Sequence, residues 1–147
     1  MNASVIWSWL HFISIFVMFA ALVIEHLLFK PPLDVATAKR IGVIDIIYGA
    51  SATLVLLTGI MRMTHEKGFA FYMQHWAFHA LFGLFVVVGL LSIYPTVVFL
   101  RWRKQTGSGV APALDAAMIR RVRMILRVEL LGMLLIPLFA ALMARGQ

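Results

Sequence analysis

The run from Val5 to Phe29 constrains this chain more than any other feature. It is about 25 residues of almost wholly apolar sequence, and at ~1.5 Å rise per residue it can cross a hydrocarbon core of ~30 Å with some tilt. Three groups foreign to lipid sit inside it, His11, Ser14 and Glu25, with His26 beside the last. His11 to Ser14 is one i, i+3 step, and His11 to Glu25 is close to four turns at ~3.6 residues per turn. One face of one helix thus carries an imidazole near one end and a carboxylate near the other. A lipid-exposed charge at depth costs roughly 2.5–3.5 kcal/mol on insertion scales, so this face must look at other helices.

Three further apolar runs can cover it. With spans over about 5–29, 41–63, 75–99 and 124–143, the expected fold is all-α: an integral membrane four-helix bundle forming one domain, 1–147. Of the 147 residues 63% are hydrophobic and only 13% charged, which excludes an ordinary soluble domain. The first span lacks the basic leader and short apolar core of a cleavable signal, so it reads as a retained helix. It stops at Phe29-Lys30-Pro31-Pro32. Leu33 to Arg40 is a short polar connection in which a helical turn can begin at Asp34. Met63 to Gln74 reads as a loop, with Phe69 to Met73 at the interface. Leu100-Arg101-Trp102-Arg103-Lys104 is an aromatic-basic stop, and Ala113 to Arg123 an amphipathic lead-in to the fourth span, where Pro137 is a candidate kink.

The formal charge of +7 does not signal nucleic acid, because the basic residues sit at helix ends. Lys30, Lys39 and Arg40 lie in the connection 30–40. Arg101, Arg103, Lys104, Arg120, Arg121 and Arg123 lie in the connection 101–123, with Arg127 just beyond it. The other side has only Arg62, Lys67 and Arg145. The positive-inside rule then makes both basic connections cytoplasmic and both termini outer, in a bacterial inner membrane. His11 and His79 fall in an outer polar layer, and Glu25, His26, Asp45 and Glu129 in an inner one.

The inner acids Glu25, Asp45 and Glu129 have two readings. They are interfacial carboxylates paired with Lys30, Arg40 or Arg127, or they form a proton relay with a catalytic role. His26 and His65 read as surface imidazoles, and Gly49, Gly83, Gly89 and Gly132 as helix-packing residues. The nine methionines show no copper-binding pairs and suit core filling. His11 and His79, at similar depth on different helices, could ligate haem iron from both sides or form a structural pair held by hydroxyls such as Ser14 or Thr58. His75 stands at i, i+4 from His79, a spacing that can hold one metal. With no cysteine in the chain, disulfides, thiolate metal sites and covalent haem are excluded.

Trp9-Leu10-His11 and Trp76-Ala77-Phe78-His79-Ala80 resemble the HemJ-type membrane protoporphyrinogen oxidases and the related CopD-like copper-resistance membrane proteins. The run Gly89 to Thr96, followed by Phe99-Leu100-Arg101-Trp102-Arg103, more closely resembles a family of small four-helix bacterial membrane proteins in that group, over nearly the whole chain. In HemJ-type enzymes a first-span histidine is associated with haem b, and His11 matches it. Their third-span His-Ala-Lys reads His79-Ala80-Leu81 here, so the lysine linked to activity is missing.

Three functions follow as expectations. The first is a b-type haem protein in electron transfer or porphyrinogen-type oxidation, with an electron donor or acceptor as partner. In it His11 and His79 are axial ligands, Arg62 or His75 meets a propionate, and Glu25, Asp45 or Glu129 supplies protons. The second is a copper or zinc carrier using His11, His75 and His79. The third is a non-catalytic membrane subunit. Lipid-facing surface on spans two and four leaves room for a homo-oligomer, and the bilayer itself is the one partner that composition demands.

Overall fold

The computed structural model describes residues 2–146, and within them the helices outrun the apolar spans. Four are long enough and apolar enough to cross a membrane: α1 (Ala3–Leu28), α2 (Val35–His65), α4 (Trp76–Gly107) and α5 (Ala116–Ala144). A short α3 (Phe69–Met73) lies between α2 and α4. In hydrocarbon every backbone N–H and C=O must be satisfied inside its own segment, and continuous helices do that. The hydroxyls obey the same constraint. Ser14 donates to the Leu10 carbonyl, Ser92 to that of Gly89 and Thr106 to that of Trp102, each within its own helix.

The extra length has local causes. At the start of α2 the Asp34 side chain accepts from the Thr37 N–H at 2.8 Å, an N-cap that begins the helix well before the apolar run. Those bonds from Thr37 hold the Asp34 carboxyl below its usual range. At the other end of the chain's third span, α4 does not stop at Arg101-Trp102-Arg103 but continues through it to Gly107. At ~1.5 Å per residue α2 and α4 each exceed 45 Å, about one and a half times a hydrocarbon core, so their basic ends project beyond it. Pro95 and Pro137 both lie within continuous helix.

The helices run alternately up and down. α1 packs along α2, α2 on α4, α4 on α5 and α5 on α1, leaving α1 and α4 at opposite corners, as are α2 and α5. The core facing this square includes Met18, Leu22, Ile41, Val88, Val122 and Leu126. At the basic end Phe29 stacks on Trp102 and packs against Phe99, with ring centroids 6.3 and 6.2 Å apart. Such aromatic pairs contribute ~0.5–1.5 kcal/mol each beyond burial. Of the glycines expected to mediate packing, only Gly132 does so. A Cβ there would come within 2.6 Å of Val88 Cγ2, whereas at Gly49, Gly83 and Gly89 it would meet open space. Those three sit on outward faces, where a small residue brings no neighbour closer.

Candidate functional site

All four long helices contribute to one polar cluster toward the basic end of the bundle. α1 supplies Glu25, α2 supplies Asp45 and Tyr48, α4 supplies Thr96 and α5 supplies Glu129. Asp45 sits about 15 Å along α2 and Glu129 about 20 Å along α5 at ~1.5 Å per residue, so both lie past the polar starts of their helices. Glu25 and Glu129 are each 1% exposed and Asp45 5% exposed, which places all three carboxyls out of reach of bulk water.

Their partners are hydroxyls, not bases. Tyr48 donates across the centre of the bundle to Glu129 Oε1 at 3.2 Å, joining the opposite corners α2 and α5. Thr96 donates to Asp45 Oδ1 at 3.1 Å. Glu25 lies against Asp45, close enough for the two carboxyls to share one hydrogen, and within electrostatic range of Glu129, and neither of its oxygens meets any other donor. The expected ion pairs with Lys30, Arg40 or Arg127 do not form. Among the described residues the one salt bridge is Arg62–Glu66, at the far end of α2. Arg40 and Arg127 are exposed, and burying a guanidinium with these acids would cost it hydration that the interface supplies freely. Three adjacent carboxyls without a counter-ion cannot all carry charge in such a place, so at least one of them is protonated.

From this cluster the buried face of α2 continues as a polar line. Asp45, Tyr48, Ser51, Val55 and Thr58 are all buried and follow one another at three or four residues, with Val55 the single apolar step. The line ends at His11. Thr58 donates its hydroxyl hydrogen to the Leu54 carbonyl, so His11 Nδ1–H donates to Thr58 Oγ1 at 3.1 Å. Gly59 lets the ring approach, since a Cβ there would stand 3.2 Å from His11 Cε1. Beyond His11, Arg62 is ion-paired with Glu66 and lies over the Phe12 ring.

Residues 3–147 match the family described as a predicted membrane protein, DUF2214. The chain belongs to that family. No curated protein and no solved structure matches it significantly. The DUF2214 match supports an integral membrane protein and leaves the looser likeness to HemJ-type and CopD-like proteins without support.

In this DUF2214 member the histidines expected to act together are apart. His79 is exposed, and its Nε2–H donates to the Met73 carbonyl of α3 at 2.9 Å. His75 Nδ1–H donates to the Phe71 carbonyl at 2.7 Å, with its ring against Phe71. His11 is held by Thr58 of α2, while His79 is turned to α3. Bis-histidine haem needs two imidazoles turned to a common slot, and His11 and His79 as placed do not fit it. Arg62, expected to meet a propionate, is spent on Glu66. No three His, Asp or Glu among the described residues could hold a metal ion, which covers His11, His75 and His79 as well as the inner acids. His26 is half-buried with its Nδ1 unpartnered, so it is less of a surface group than expected.

Sequence reading isolates the three acids and misses what they meet. Thr96 is read only as the end of the Gly89 to Thr96 run that carries a family resemblance, and Tyr48 only as a residue following Asp45 in the second span. The three-to-four spacing from Asp45 to Thr58 was the available signal, a polar stripe at helical period inside a membrane segment.

Proposed function

We propose that this integral membrane protein handles protons. In this reading Glu25, Asp45 and Glu129 take up protons at the basic end of the bundle, and the polar face of α2 passes them toward His11. Positive-inside placement puts that basic end in the cytoplasm and His11 toward the outer side of a bacterial inner membrane. The observation that carries the proposal is Glu25, a carboxyl 1% exposed, with no base beside it and no partner but a second carboxyl, Asp45. Intramembrane acids are costly and seldom idle. A proton is favoured over a metal ion because the described acids are not spaced as a coordination shell.

Each group has a definite task. Glu25 and Asp45 hold the exchanging proton between them, Thr96 orients Asp45, and Tyr48 holds Glu129. His11 receives a proton through Thr58 at Nδ1 when its own hydrogen sits on Nε2, and releasing the Nε2 hydrogen outward leaves the Nδ1–H form that donates to Thr58. Val55 interrupts the line, so passage there needs a transient water.

The test is proton flux into vesicles containing the purified protein, read with an internal pH dye under a potassium-diffusion potential. The parent should dissipate the gradient faster than empty vesicles, and Glu25→Gln should slow this by roughly tenfold or more, as loss of a positioned proton-transfer group does. Parent vesicles that leak no faster than empty ones would sink the proposal.

A further inference from the structure

The basic end carries a second feature, on the outside of the bundle between α2 and α4. A cleft of about 250 Å³ opens there, with Lys39 at one rim and Arg103 at the other. Its wall on α2 is Gly42, Val43 and Ile46, which lie one to two turns from Lys39 on the same face. On α4 it is backed by Trp102, held rigid by its stack on Phe29 and its contact with Phe99. Lys39 and Arg103 are exposed, and among the described residues neither is in an ion pair.

The two halves of the cleft differ in chemistry. Both cations stand near the projecting ends of their helices, where headgroups lie, and the apolar wall runs from them toward the hydrocarbon. Val43 and Ile46 are about half exposed, so an acyl chain can lie along them. Gly42 widens the space: a Cβ there would meet nothing within 4 Å. We propose that this cleft is a binding site for an anionic glycerophospholipid, with its phosphate between Lys39 and Arg103 and one acyl chain on Val43 and Ile46. Basic pockets between membrane helices capture anionic headgroups in this way, and the apolar wall excludes a free phosphate as the preferred ligand. The proposal does not depend on the acid cluster or on proton flux.

Native mass spectrometry of the detergent-purified full chain tests it, with phosphatidylglycerol and phosphatidylcholine of the same acyl chains as probes. The parent should prefer phosphatidylglycerol by about thirtyfold, the effect of two cations at a lipid surface. Lys39→Gln with Arg103→Gln should bring the two lipids within about twofold, since the charge discrimination is gone. Gly42→Leu should weaken both lipids by filling the wall, and its circular dichroism and melting should match the parent because the added side chain enters open space. Arg120→Gln with Arg121→Gln, on exposed positions of α5, should leave the preference intact. Equal binding of the two lipids by the parent overturns the proposal. So does an unchanged preference in the Lys39/Arg103 variant, or an equal loss in the Arg120/Arg121 variant, which would mark a diffuse basic surface.

Discussion

A single methyl group tests how closely α4 and α5 approach. Gly132 is buried, and a Cβ placed on it would stand 2.6 Å from Val88 Cγ2, inside any real carbon–carbon contact. Lipid gives helices no hydrophobic reason to associate, so close packing at small residues must supply it. Gly132→Ala should therefore destabilise the detergent-solubilised protein by ~1–3 kcal/mol, the usual cost of overpacking. Adding Val88→Ala should recover part of that loss, because the two positions share one contact. Thermal unfolding of the two single variants and the double variant measures both effects, and strictly additive losses would contradict the contact. The same substitution at Gly89, the next residue after Val88 but on the outward face of α4, should cost nothing and gain slightly from helix propensity.

Among the elements, the end of α2 opposite the acid cluster is held by one carboxylate. Glu66 accepts from Arg62 Nε at 2.7 Å, from Ser8 of α1 at 2.7 Å and from Tyr72 of α3 at 3.2 Å. Burial alone would raise its titration, but the bonds from Arg62, Ser8 and Tyr72 outweigh it and hold the carboxyl below the usual range. The Tyr72 phenol moves the other way, raised by burial and then by the Glu66 charge. Since Glu66 titrates lower in the folded protein than its unfolded value of ~4.3, its stabilisation is complete above that pH. It fades as pH falls through the folded value. Glu66→Gln should lower stability at neutral pH by on the order of 1 kcal/mol or less, because solvent screens so exposed a group. The gap between parent and variant melting temperatures should close on acidification. A gap that stays constant into acid would mean that Glu66 acts by shape and not by charge.

At the scale of the whole molecule the open question is which end faces the cytoplasm, and the chain's lack of cysteine makes it easy to ask. Ten of the thirteen Lys and Arg residues gather at the end where α1 meets α2 and α4 meets α5. From the positive-inside rule we propose that Ser108 faces the cytoplasm and Lys67 the outside. Ser108→Cys should resist a membrane-impermeant maleimide in intact cells and react after permeabilisation. Lys67→Cys should react in both. The reverse pattern would turn the proton reading end for end, with uptake from outside, but would leave the cluster's chemistry unchanged.

How much of this was legible follows from the range over which each signal acts. Hydropathy and charge are properties of a segment, so four spans and the basic end could be read from apolar runs and the positions of Lys and Arg. The acids at Glu25, Asp45 and Glu129 were legible too, since a carboxyl inside a membrane segment stands out without a partner. Helix ends were less so: the Asp34 cap and the unbroken run through Trp102 lengthened α2 and α4 past their apolar limits. Partnership was legible only as one alternative among others, the Thr58 hydroxyl offered to His11. It depends on the rotation of each helix about its axis and on the register between helices, which depth along a span does not specify. That is why His11 and His79, matched in depth, ended with one bound to Thr58 and the other turned out to α3. It is also why the acids met Tyr48, Thr96 and one another in place of the arginines close by in sequence. Sequence alone determined which residues could not face lipid; only the packing of four helices decided what they faced instead.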